Sequence, residues 1–160
     1  MKTLFSFFVL ASLFNNPTIT EIRKLYPNAS KSESNAKEFA LKLTDVATDD
    51  KTLLAYKGAS ITMIAKFKKK VSDKISAFKE GSKLIELAVA TEPNNIEIRF
   101  IRLSVQENVP AIVKYKKNIS EDKVFILKQY KEQSATLKEY LKSFILQSKS
   151  FSAEEQKAIK

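Results

Sequence analysis

The chain has no cysteine and no histidine. Without cysteine there is no disulfide, no thiol nucleophile, no zinc–thiolate site and no acylated lipoprotein cysteine. Without histidine, the commonest general base and the commonest metal ligand are both missing. Glycine occurs twice and proline four times, too few special turns for an all-β fold. The residues also form no nucleophile elbow, phosphate-binding loop or metal-ligand spacing. Any chemistry would have to rest on carboxylates, Lys, Tyr, Ser, Thr or Arg. We therefore expect a non-catalytic protein with no cofactor and no metal.

What is present suits helices. Leu, Ile, Lys, Ala and Glu dominate, with 44% hydrophobic and 29% charged residues in a chain of 160. That length suits one domain with a substantial core. The formal net charge of +10 fits a lysine-rich solubilising surface. It also fits attraction to an anionic partner such as phospholipid or an acidic polymer.

Lys2 precedes an apolar run at residues 4–14. In a helix that run is about 16 Å long, too short for a ~30 Å hydrocarbon core. A positive start and a short apolar run are the pattern of a secretory signal peptide. We expect residues 1–20 to hold that peptide and the start of the mature chain. Val9-Leu10-Ala11 is the better cleavage signal and Thr18-Ile19-Thr20 the poorer one. The protein is then exported, periplasmic or extracellular, with no transmembrane segment in the mature chain. Residues 21–35 read as a polar linker or short helix, loosely docked and stopped by Pro27. Residues 36–160 read as one all-helical domain.

Within that domain the apolar spacing predicts helices in antiparallel hairpins, about six in all. Ser30 with Glu33 fits a capping box for a helix ending near Ala47. Residues 51–70 carry two apolar stripes and Gly58, which costs about 1 kcal/mol relative to Ala in a helix. Close approach by another helix would account for it. Ser72 or Asp73 caps the next helix. Glu92-Pro93-Asn94-Asn95 then turns the chain into a helix over 96–108 that is apolar around more than half its circumference and should be largely buried. Ser120 reads as a later N-cap, Thr136 with Glu139 as a second capping box, and Ser152-Ala153-Glu154-Glu155 as the start of a last short helix.

Arg99 and Arg102 stand on that buried helix. A buried Arg needs an acid or several carbonyls, and Glu86, Glu92 or a distant acid would answer it. The alternative is an anion site lined by Arg99 and Arg102 with Lys66, Lys69 and Lys70. The lysine run holds one aromatic, Phe67, a poor stacking platform, so nucleic acid is disfavoured as a partner. The visible acidic pairs, Asp49-Asp50 and Glu121-Asp122, sit where helix starts want acids.

Gly81, Ile85, Ala88 and Pro93 stand at the spacing of the small, large, small and proline positions of a tetratricopeptide repeat, and this hairpin resembles part of such a unit. The resemblance implies stacked helical hairpins, TPR-like or an irregular bundle, with a concave face for a protein or peptide. AYKGAS (55–60), EPNNIEIRFIRLSVQENVP (92–110) and YKKNISEDKVFI (115–126) resemble a group of small exported bacterial proteins. That resemblance implies no particular activity. The expected function is an interaction or scaffold module. The alternative is an anion- or membrane-surface binder using residues 66–83 with Arg99 and Arg102.

Overall fold

Tyr26 shows how the chain closes on itself. Its ring packs on Phe39 at 5.6 Å, Tyr56 at 5.0 Å and Phe100 at 5.9 Å between centroids. Four segments far apart in sequence thus meet at one aromatic cluster. The computed structural model describes residues 17–47 and 49–159. The apolar run at 4–14 lies outside these, as does Lys160. The described residues form eight α-helices and two short 3-10 turns, with no strand. The class is all-α, with more helices than the expected six.

Helix α1 (Ile19–Ala29) opens on a capping box between Thr18 and Glu21. Ile22, Tyr26 and Ala29 fall on one face and are buried. This segment was expected to be loosely docked, but it is part of the core. Pro27 was expected to end the helix and instead lies inside it. It sits in the last turn, where only one i→i−4 bond is forfeited. Helix α2 (Glu33–Lys42) is capped by Ser32, not Ser30; the Ser32 hydroxyl accepts from the Asn35 amide. It ends before Leu43, so Leu43 and Val46 reach the core from a turn.

Helix α3 (Lys51–Phe67) and helix α4 (Val71–Thr91) make the most extensive pairing in the fold. Asp50 caps α3 by accepting from the Leu53 amide. Gly58 explains the closeness: a Cβ there would stand 2.5 Å from the Gly81 carbonyl oxygen and 2.8 Å from Ile85 Cγ1. Gly81 faces Gly58 reciprocally, so the only two glycines of the chain form one crossing point. Helix α4 starts at Val71, earlier than expected, with Lys70 as an N-cap that supplies no side-chain bond.

The turn at 92–95 leads into α5 (Ile96–Asn108) as predicted, with Asn95 as N-cap accepting from the Glu97 and Ile98 amides. Helix α4 packs far more on α3 than on α5, and α5 packs on α3 and on α6 (Ile119–Gln129). Ile98, Ile101 and Leu103 are fully enclosed. Burial of that extent stabilises by about 1.5–3 kcal/mol per side chain relative to exposure. Helix α6 is preceded by Asn118, not capped by Ser120. Helix α7 (Ala135–Ile145) is capped by Ser134, not Thr136. Helix α8 (Ala153–Ala158) starts at the predicted place, and Ser152 and Glu155 form a capping box there.

Candidate functional site

Helix α5 carries polar groups into the middle of the fold, and several of them meet partners from other helices. Arg102 is 4% exposed and Asp122, in the first turn of α6, is fully enclosed. Arg102 Nε donates to Asp122 Oδ2 at 2.7 Å and Nη2 to Oδ1 at 2.7 Å, a bidentate fork. Its Nη1 reaches Glu86 Oε2 of α4 at 3.1 Å. Arg99 sits one turn earlier. It donates to the Pro93 carbonyl at 2.9 Å, to Asp122 Oδ1 at 3.0 Å and to Glu121. Its guanidinium lies 5.2 Å from the Phe125 ring centroid. Tyr115 closes the far side by donating to Glu86 Oε1 at 2.6 Å.

Two arginines therefore face three carboxylates. Burial opposes the Arg102 charge, but the hydrogen bonds to Asp122 and the charges of Asp122 and Glu86 outweigh it, holding the guanidinium above its ordinary pKa. Glu121, half exposed, is held below the usual carboxylate range by the Asn118 amide and by Arg99. Glu86 was among the expected answers to these arginines. Glu92 was also named, but its carboxylate accepts from the Asn95 side-chain amide at 2.9 Å. Asp122 was read only as a favourable first-turn acid. Its position in the sequence holds no sign that it would meet Arg102 across a helix interface.

A second cluster lies at the start of α5. Arg23 of α1 forks onto Glu97, with Nε to Oε1 at 2.8 Å and Nη2 to Oε2 at 2.6 Å. The Tyr56 hydroxyl of α3 donates to Glu97 Oε1 at 2.7 Å. The Tyr140 hydroxyl of α7 is 3.0 Å from that of Tyr56. A hydroxyl has one proton, and that of Tyr56 goes to the carboxylate, so Tyr140 donates to Tyr56. Burial pushes both phenols upward, and the Glu97 charge adds to it. Glu97, in the first turn of α5, is a 4%-exposed junction of four helices. A lone acid on a strongly apolar helix was the available signal.

Two further contacts complete the α5 hub. The Tyr26 and Ser104 hydroxyls are hydrogen-bonded. Glu107 accepts from Ser148 at 2.6 Å and Ser150 at 2.8 Å.

The lysines predicted to join the arginines stand elsewhere in the chain's contacts. Lys69 and Lys70 are exposed at the α3–α4 turn. Lys66 donates to the Ser30 carbonyl at 3.2 Å, at the end of α1, and lies 5.4 Å from the Phe67 ring centroid. Arg99 and Arg102 are instead enclosed between α5 and α6 by carboxylates. An anion entering that cluster would meet the more exposed carboxylates of Glu86 and Glu121 first.

One open groove of about 560 Å³ lies beside the Glu97 junction. It is lined by the continuous stretch Glu92, Pro93, Asn94, Asn95, Ile96 and Glu97 together with Gln133 and Leu137. Among the described residues, no group of three or more acidic side chains is placed to hold a metal ion. Nor is any described helix long and apolar enough to cross a membrane.

No family model matches the chain, and neither a curated protein nor a solved structure matches it.

Proposed function

We propose that this protein is an exported, non-catalytic, TPR-like helical module that binds a protein or peptide segment in the groove at the α4–α5 turn. The groove itself is the observation that carries the reading. It joins apolar surface from Pro93, Ile96 and Leu137 to amide side chains from Asn94 and Gln133. Amides offer both donors and acceptors, the complement of an extended peptide backbone. The enclosed carboxylates of Glu97 and Asp122 are held by arginine forks, which supports a scaffold role.

The test is capture of partners from an envelope extract, followed by titration of the captured protein. The Asn94→Arg/Gln133→Arg variant fills the groove without touching the enclosed core. Loss of one good anchor typically weakens an interface by about tenfold or more. Equal affinity for the filled variant overturns the groove assignment. Export is tested by N-terminal sequencing of secreted material. Cleavage after Thr20 would remove the Thr18–Glu21 cap of α1, so the mature chain is expected to start after Ala11 and no later than Thr18. Retention of Met1 overturns the export reading.

A further inference from the structure

The turn between α3 and α4 places an apolar point among lysines. Val71 is 69% exposed and Ile75 is 41% exposed. They lie four residues apart, on one face of the first turns of α4. Lys68, Lys69 and Lys70 precede them and are exposed as well. The other two lysines of the run are occupied with the fold. Lys66 donates to Ser30, and Lys74 donates to the Lys66 carbonyl at the end of α3, at 3.0 Å. Lys70 gives α4 no side-chain cap. The positive end of a 21-residue helix therefore opens at the same tip. Asp73 is the one acid between residues 66 and 79. The nearby Glu33 is bonded to Lys37 at 2.7 Å.

We propose that this tip docks on an anionic phospholipid surface. Val71 and Ile75 enter the boundary between headgroups and acyl chains, and Lys68, Lys69 and Lys70 lie among the lipid phosphates. The pairing of groups selects this occupant. Lysines alone would suit any polyanion, but two solvated branched aliphatics at their centre gain only where hydrocarbon receives them. A nucleic-acid strand would need exposed rings to stack on, and Phe67, the aromatic of this run, is half-buried with Lys66 over its face. The arginines of α5 take no part, since carboxylates already hold them. The inference is independent of the groove, which is lined by other residues.

Flotation of the full chain tests it, with phosphatidylcholine vesicles and with phosphatidylcholine–phosphatidylglycerol vesicles. Any contribution from the apolar run at 4–14 is common to every variant and appears on neutral vesicles too. Wild type is expected to float with the anionic vesicles in excess of the neutral ones, and to lose that excess as salt rises. Each lysine near the surface contributes about fivefold in partitioning, so K68Q/K69Q/K70Q should lose about a hundredfold. V71S/I75S should lose about tenfold or more, the apolar burial term. Ile112→Ser, at an exposed site outside the tip, should change nothing. Helical circular dichroism checks that each variant is folded. Equal flotation on both vesicle types overturns the proposal. So does unchanged flotation of either tip variant, or binding of single-stranded DNA with no binding of vesicles.

Discussion

Asp122→Asn is the most informative single change in the fold. The carboxylate is fully enclosed and accepts two 2.7 Å bonds from Arg102 and one of 3.0 Å from Arg99. Asparagine keeps the volume but removes the charge, and it turns amide donors toward guanidinium donors. Removing one partner of a buried ion pair costs about 3–5 kcal/mol. Glu86 and Glu121 remain, at 3.1 Å and 3.7 Å from Arg102, but their side chains are 40% and 54% exposed. Partial compensation from them puts the expected loss near the lower bound, about 3 kcal/mol. For a chain of this length each kcal/mol shifts the midpoint by about 2–4 °C, so thermal melts should fall by roughly 6–12 °C. Urea unfolding should show the same loss with an unchanged slope. Arg102→Met should also destabilise. The double variant should cost clearly less than the sum, with a coupling of about 2 kcal/mol. A drop of under about 2 °C, or strict additivity, would refute the view that this pair holds α6 onto α5.

Two further outcomes follow from the packing and the buried phenols. Gly58→Ala gains about 1 kcal/mol of helix propensity but drives a Cβ to 2.5 Å from the Gly81 backbone oxygen. Since a backbone atom cannot rotate away, overpacking of about 1–3 kcal/mol or more should win, and chemical denaturation should show a less stable protein. All five tyrosines have pKa values raised by burial first of all. Their neutral forms are favoured in the folded state, so their contribution is whole below the ordinary phenol value of about 10 and is lost as pH rises above it. Tyrosinate absorbance should thus appear together with loss of the helical signal. Titration of most phenols at about pH 10 in a fully helical protein would contradict their burial.

Local pattern was enough for some features and misleading for others. The turn at 92–95 and the burial of α5 were legible because apolar spacing and a Pro–Asn break act over a few residues. Gly58 was legible as a contact point, but its partner Gly81 was not, because a crossing pairs positions from two helices. Helix starts were misread by a few residues at Ser30, Ser72, Ser120 and Thr136. At α2 and α7 another serine nearby satisfies the same cap rule, whereas α4 and α6 start with no side-chain cap bond at all, so packing of the following face sets where they begin. Pro27 was misread because Tyr26 and Ala29 on either side of it are held in the core, which outweighs a bond lost in a last helical turn.

The absence of cysteine and histidine, the near-absence of glycine and the recurring apolar spacing are properties of the chain wherever it goes. They are sufficient for an all-helical protein without thiol or imidazole chemistry. The fates of the charges are not such properties. Arg102 with Asp122, Arg23 with Glu97, and the solvated Val71 among lysines arise from which helix faces meet. A side chain's partner 20 or 74 residues away is chosen by the burial of many apolar groups at once. No local rule for a charged residue can anticipate that choice.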